Sequence, residues 1–258
     1  MKTSVILNLK GGVAKTATAV NVAAILASDY KQRVLLVDAD SQCNTTEFFG
    51  CDPGYGNLAE VLRQKSGGAT FAVSSIMHTN FPGIDLLAGD DSLMDLDLTK
   101  VETEDVRATV LREMVSILEE HDAYDICLVD CPPAFNAASA AALIAADEVI
   151  IPIKLDAFSL RGMTNLLRQI HNMRAINPKL KLAGCLPTMW YKSENIEKAE
   201  ATLKASGLPV FPHIRHTRKV DDMTFAQEPL LISSPRSAAG VDYRRFVQAW
   251  MKGGAING

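Results

Sequence analysis

Residues 9–18 read Leu9-Lys10-Gly11-Gly12-Val13-Ala14-Lys15-Thr16-Ala17-Thr18. An apolar run precedes them (Val5, Ile6, Leu7, Leu9), and an apolar helical pattern follows (Val20, Val22, Ala23, Ala24, Ile25, Leu26). Strand, glycine turn, lysine, hydroxyl and helix, in that order, is the layout of a phosphate-binding loop. Backbone N–H groups in the turn and the positive end of the helix dipole both favour a polyphosphate. In such a loop Lys15 reaches the β- and γ-phosphates and the Thr16 hydroxyl sits on Mg²⁺. Two features stand out: a second lysine, Lys10, ahead of the glycines, and Ala14 where a glycine is expected.

Further along, short apolar runs alternate with helical patterns. Strands are predicted at Val5–Leu9, Val34–Val37, Ile84–Leu87, Ile126–Val129, Val149–Ile153 and Leu182–Leu186. Helices are predicted near 15–29, 105–121, 136–146, 159–175, 194–206 and 237–252. Near-continuous apolar strands with helices between them indicate a parallel sheet covered on both faces. Right-handed crossovers then give a doubly wound α/β fold, with ligands at the carboxyl ends of the strands. The loops of interest are therefore 10–16, 38–46, 130–136, 154–159 and 187–193. Gly67-Gly68 reads as a loop. No repeat or low-complexity tract interrupts the pattern, so residues 1–258 read as one domain.

Two of those loops carry carboxylates. The second strand runs into Val37-Asp38-Ala39-Asp40-Ser41-Gln42. Asp38 is placed to hold Mg²⁺ through water, and Asp40 to orient an attacking water. Asp40 could equally cap the segment at 44–49, as Asn44 could; Asp38 is harder to explain as a cap. The strand 126–129 ends Asp130-Cys131-Pro132-Pro133, which places Asp130 near Mg²⁺ in a loop that the prolines stiffen.

Composition sets the frame. The chain has 258 residues, 48% hydrophobic and 22% charged, enough for a substantial core. No long uncharged apolar stretch suggests a membrane span, and the N-terminus runs directly into strand-like sequence. Five scattered cysteines fit a reduced cytoplasmic protein better than a disulfide framework. Cys127 and Cys131 read as small buried residues. Residues 1–150 hold 10 bases and 22 acids, a net of −12; residues 151–258 hold 16 and 8, a net of +8. That asymmetry suggests one basic face, densest at His213–Lys219. It fits either a solvated surface or a phosphate-backbone footprint.

Together, Lys10–Thr16, Asp38–Gln42 and Asp130–Pro133 resemble the deviant Walker ATPases of the ParA type, relatives of MinD and the nitrogenase iron protein. The resemblance continues through Ala145–Pro152, Phe158–Gly162, Leu186–Met189, Arg215–Arg218 and Glu228–Leu230, and covers essentially the whole chain. The short N-terminus leaves no room for a helix-turn-helix domain, so the likeness is to the small, ParA/Soj type. The resemblance implies ATP and Mg²⁺, with Lys10, Lys15 and Asp40 catalytic. It places Gly11, Gly12, Val13, Ala14, Lys15, Thr16 and Ala17 against the phosphates, and Thr16, Asp38 and Asp130 around the metal. The adenine would lie near Met189 and the stretch from Pro212 to Ile214.

It further implies a homodimer that sandwiches two ATP molecules, with Lys10 crossing to the partner's phosphates. The ATP dimer would bind DNA nonspecifically, through Arg215 and Arg218 first and Lys192, Lys219 and Arg244 second. A ParB-like partner would stimulate slow hydrolysis, in a cytoplasmic, nucleoid-associated protein that does not bind membrane. Departures from the family are Ala14 for glycine, Ala17 for threonine, and Ser41 and Cys43 for proline and glycine. They keep open a second reading, a nucleotide-dependent switch that does not hydrolyse ATP. A MinD-like membrane ATPase should end in a basic amphipathic helix, whereas this chain ends Met251-Lys-Gly-Gly-Ala-Ile-Asn-Gly258. An electron carrier like the iron protein would need cluster cysteines beyond Cys131.

Overall fold

The computed structural model describes residues 1–253, apart from positions 53, 55, 97 and 101–105, and only the backbone of 100 and 157–161. Its strands are β1 (Lys2–Ile6), β2 (Val34–Asp38), β3 (Met77–His78), β4 (Ile84–Leu87), β5 (Ile126–Asp130), β6 (Glu148–Lys154) and β7 (Lys181–Thr188). They form one sheet in the order β3-β4-β2-β5-β1-β6-β7. All neighbours are parallel except β3 and β4. The helices are α1 (Lys15–Asp29), α2 (Asn44–Phe48), α3 (Leu58–Arg63), α4 (Gly68–Ser74), α5 (Val110–Glu120), α6 (Ala137–Ala145), α7 (Ala157–Met173), α8 (Glu194–Ala205), α9 (Lys219–Ala226), α10 (Leu230–Ser233) and α11 (Ala238–Met251).

Both faces of the sheet are buried, and alternation along each strand divides the core in two. Val5, Leu35, Val37, Cys127 and Val129 face the layer that holds α3 to α7. Ile6, Leu36, Leu128 and Ile150 face the layer of α1 and α11. This explains why the strands read as uninterrupted apolar runs. Cys127 and Cys131 are buried core residues, as expected. α1 is buried along nearly its whole length, and α11 closes over it with Tyr243, Phe246, Val247 and Trp250.

Several expectations are corrected. The first strand spans Lys2–Ile6, not Val5–Leu9, because Thr3 and Ser4 are buried in the sheet despite their polarity. After Ile6 only Leu7 continues the pairing, its N–H donating to the Ile150 carbonyl. Gly67-Gly68 is not a loop: Gly67 caps α4 in the left-handed region (φ 67°) and Gly68 opens the helix. A Cβ on Gly68 would lie 2.6 Å from Val110 Cγ2, so the glycine permits close α4–α5 packing. The helix expected from 105 begins at Val110; its predicted start at 105 lies outside the described residues, as does the glycine-rich end at 254–258. No helix among the described residues is long and apolar enough to cross a membrane.

Candidate functional site

The sheet order determines what meets at its carboxyl edge. β5 lies between β1 and β2, with Ile6 beside Asp130 and Asp38 beside Asp130 in register. The phosphate-loop residues leave β1 at that same edge and enter α1 at Lys15. Asn8 supports the turn from below: its Nδ2 donates to the Pro152 carbonyl, and its Oδ1 accepts from the Lys10 N–H. Thr188, at the end of β7, donates to the Val13 carbonyl at 3.1 Å. Sequence reasoning missed Asn8, whose only signal was a polar residue directly before the turn.

Gly12 (φ 68°) and Ala14 (φ 65°, ψ 37°) both lie in the left-handed region. Glycine adopts that conformation freely, but an L-residue with a Cβ is disfavoured there by about 1–2 kcal/mol. The expectation of glycine at position 14 was thus a conformational one, and Ala14 keeps the conformation at a cost. Its carbonyl accepts from the Thr18 N–H and hydroxyl at 3.0 and 2.7 Å, which fixes the first turn of α1. Ala14→Gly is expected to relieve this strain, with the greater chain entropy of glycine offsetting part of the gain. The net is about 1 kcal/mol, or about 2–4 °C in melting temperature for a chain of this size; a calorimetric scan of the nucleotide-free protein checks it.

Lys15 is buried, and among the described residues its Nζ has one long hydrogen bond, 3.5 Å to the Lys10 carbonyl. Burial pulls its pKa below the usual lysine value, against the attraction of Asp130 and Asp40. Burial raises the carboxyl pKa values of Asp130 and Asp38; the charge of Asp38, beside it in register, raises Asp130 further, while Asp38 is raised further by Asp40 against its hydrogen bonds from Thr46.

The two aspartates are held differently. Asp38 Oδ2 accepts from Thr46 N–H and Oγ1, both at 2.8 Å, and its Oδ1 accepts from the Asp40 N–H. Asp38, which from the sequence is harder to explain as a cap, in fact anchors the first turn of α2 to the end of β2. Asp130 Oδ2 accepts from the Thr16 hydroxyl at 2.7 Å and the Thr45 hydroxyl at 2.8 Å, while its Oδ1 is buried with no hydrogen-bond partner among the described residues. Thr45 and Thr46 were not singled out from the sequence. Asp40 is buried too, and its Oδ1 accepts from the Gln42 N–H; it does not cap the segment at 44–49, since Cys43 holds the cap position of α2 without a side-chain bond, a correction to that one of its two expected roles.

An orphan carboxylate oxygen beside a threonine hydroxyl fits Mg²⁺, a hard cation that takes oxygen ligands. Among the described residues no group of three or more His, Cys, Asp or Glu could cage a metal. This suits an ion that keeps several waters and takes the rest of its shell from phosphate oxygens. Thr16 and Asp130 are the protein groups that could hold it, with Asp38 in register beside Asp130.

Lys10 pairs with Asp156, Nζ to Oδ2 at 2.6 Å, both about one-third exposed at the rim. Met189 (φ 54°) lies where the segment after β7 runs parallel to 212–216: Ile214 N–H donates to the Pro187 carbonyl and Trp190 N–H to the Ile214 carbonyl. Pro212 is half-buried there, but the Ile214 side chain is only 2% exposed, in the core. Ile214 can therefore meet a base only through its backbone, a correction to its reading as a lining residue. Arg215 forks onto buried Asp242 at 2.7 and 2.9 Å, and Arg244 Nε donates to Asp29 at 2.9 Å. Both of these expected DNA contacts thus hold a carboxylate partner while staying partly exposed. Lys219 makes an exposed pair with Asp222, while Arg218 and Lys192 are exposed. The side chains of Phe158–Arg161, part of the resemblance, lie outside the described residues.

A family model described as an AAA domain matches residues 1–182. The chromosome partitioning protein ParA of Caulobacter vibrioides is 34% identical over 199 residues, covering 76% of this chain and 72% of that one. The chain belongs to the ParA family. Among solved structures, cobyrinic acid a,c-diamide synthase of Mycobacterium smegmatis, with ADP and magnesium bound, superposes with a TM-score of 0.78 at 27% identity, covering 97% of this chain and 94% of that one. McdA of Cyanothece superposes with a TM-score of 0.82 at 24% identity over 97% and 99% of the two chains, a likeness of fold alone. Membership in this family agrees with a nucleotide site at the carboxyl edge of the sheet.

Proposed function

We propose that this chain is an ATP-dependent partition ATPase, dimeric with ATP, that binds DNA nonspecifically and hydrolyses ATP slowly when a ParB-like partner stimulates it. The observation that carries the nucleotide reading is the convergence of Lys15, Thr16 and the unpartnered Asp130 oxygen at one edge, under a turn of left-handed backbone. Anionic phosphate would give buried Lys15 a charged partner in place of its long hydrogen bond to the Lys10 carbonyl. Bound Mg²⁺ would neutralise charge on the β- and γ-phosphates. Asp40, with no hydrogen bond to its Oδ2 among the described residues, would accept from a water and orient it. Lys10, tied to Asp156 at the rim, is exposed enough to exchange that partner for the phosphates of a second copy.

The test is mass in solution with ATP, with ADP and with neither. A dimer with ATP alone is expected, and Asp40→Ala should hold that dimer while hydrolysis falls about 100-fold or more. A monomer in all three states would sink the reading.

The DNA reading rests on the +8 charge of residues 151–258 and falls first on Arg218 and Lys192, exposed and with no ion pair among the described residues, ahead of Lys219, Arg215 and Arg244, which each have a carboxylate partner. Arg218→Glu should weaken DNA retention at low salt and cut the salt slope by about 2 per dimer, one phosphate for each subunit. Dimerisation should be untouched; an unaltered slope moves the footprint elsewhere. The strain at Ala14 and the missing hydroxyl at Ala17 favour a second reading, a nucleotide switch with negligible turnover. Phosphate release in the presence of DNA and a ParB-like protein separates the two.

A further inference from the structure

Three consecutive residues of α11 reach back to three separate parts of the chain. Asp242 accepts from the Arg215 backbone N–H, Nε and Nη2 at 3.0, 2.7 and 2.9 Å. Arg244 Nε donates to Asp29, the last residue of α1. Between them Tyr243 turns into the core, where it is 1% exposed. Its hydroxyl lies 3.2 Å from the hydroxyl oxygen of Thr18, in the first turn of α1.

The proton count fixes the direction of that bond. The Thr18 hydroxyl gives its one proton to the Ala14 carbonyl at 2.7 Å, so its oxygen accepts from Tyr243. Burial pushes the Tyr243 phenol up to about 12, so it keeps its proton and remains a donor at neutral pH. Among the described residues its hydroxyl has no other hydrogen-bond partner. Phenylalanine would fill the same core, and a buried hydroxyl costs stability unless it is bonded. The hydroxyl therefore serves the bond: Tyr243 to Thr18 to the Ala14 carbonyl is a chain in which each hydrogen bond polarises the next.

That chain ends at the strained point of the phosphate loop. Ala14 sits at φ 65°, where a residue with a Cβ is disfavoured. Such a conformation persists only where its surroundings over-determine it. Two distant threonines hold the peptide groups on either side of it. Thr188 of β7 donates to the Val13 carbonyl at 3.1 Å, and Thr18, backed by Tyr243, donates to the Ala14 carbonyl. Asp242 and Arg244 pin α11 on both sides of Tyr243, so the phenol arrives in register.

We propose that Tyr243 is a positioning residue of the phosphate loop, which holds Ala14 left-handed through Thr18 so that the loop is formed before nucleotide arrives. Its role in binding rests on the phosphate-loop reading; its hold on Ala14 does not. A glycine at position 14 would need no such support, because it enters the left-handed region without a steric cost. The strain this chain carries at Ala14 and the support it receives from α11 belong together.

The test is a double-mutant cycle on the full chain: wild type, Tyr243→Phe, Ala14→Gly and the two together. The first readout is the Kd of a fluorescent ADP analogue. Tyr243→Phe alone should weaken binding about 3-fold or more, and less than about 1.5-fold beside Ala14→Gly. The second is amide hydrogen exchange of the nucleotide-free protein. Tyr243→Phe alone should speed exchange across residues 14–19 about 5-fold, and hardly at all beside Ala14→Gly, while α11 keeps its wild-type rate. Equal losses in the two backgrounds, or exchange quickened throughout α11 as well, would make Tyr243 a packing residue and overturn the proposal. Wild-type affinity and exchange in Tyr243→Phe would overturn it too. Exchange that follows the cycle in a wild type that binds no nucleotide would uphold the grip on Ala14. The same result would overturn the role in binding together with the phosphate-loop reading.

Discussion

Lys15→Met is expected to abolish nucleotide binding and, in the same protein, to leave the nucleotide-free fold as stable as wild type or more so. Both halves come from one geometry. The ammonium is buried, its pKa is drawn down by burial, and its contact with the Lys10 carbonyl at 3.5 Å is too long to replace its lost water. A buried cation in that state costs the empty protein stability, and methionine of similar length removes the charge while keeping the packing. When triphosphate binds, the same cation gains charge-assisted hydrogen bonds, each worth about 1.5–3 kcal/mol. Losing two of them weakens binding by about 100-fold or more. Titration with a fluorescent ATP analogue and a thermal melt without nucleotide measure the two halves separately. Wild-type affinity would refute the phosphate loop. A large fall in melting temperature would show instead that Lys15 serves the fold.

What the sequence made legible follows from where its signals are local. The lysine–hydroxyl pair, the D-x-D after a strand and the aspartate closing the fifth strand are each set by a few neighbouring residues, and the parallel sheet brings them together because β1, β2 and β5 are adjacent. What stayed hidden depends on distant partners. Thr45 and Thr46 look like ordinary residues of a short helix until Asp130 and Asp38 are seen above them. Arg215 looks like a free cation in a basic stretch until Asp242, 27 residues on, is found bonded to it. β1 was placed three residues late because Thr3 and Ser4 hid its start, and Leu7 and Leu9 seemed to prolong it. α9 gave no periodic signal, since Met223 is its one buried residue among exposed neighbours. Ala14 shows the limit most clearly: the departure from glycine was visible in the sequence, but its left-handed backbone was not.

Asp130→Asn should raise the melting temperature of the nucleotide-free protein at pH 8, with the gain shrinking steadily toward pH 5. Burial, and the nearness of Asp38, push the Asp130 carboxyl up to about 7, well above an ordinary aspartate. A carboxyl that holds its proton more tightly when folded favours the fold in acid. That contribution is complete below the ordinary aspartate range and is lost as the pH rises through the raised value. At pH 8 the wild type therefore folds around an ionised, half-satisfied carboxylate, at a cost on the order of a few kcal/mol. Asparagine presents a neutral oxygen to the Thr16 and Thr45 hydroxyls and escapes that cost. The substitution that stabilises the empty protein should also remove the extra stability that Mg²⁺ with ATP gives the wild type, because the orphan oxygen is then gone. Calorimetric scans from pH 5 to 8, with and without Mg²⁺ and ATP, test both statements. A gain that is flat across pH would mean that Asp130 is ionised at no cost, and that its unpartnered oxygen is not held in reserve for a cation.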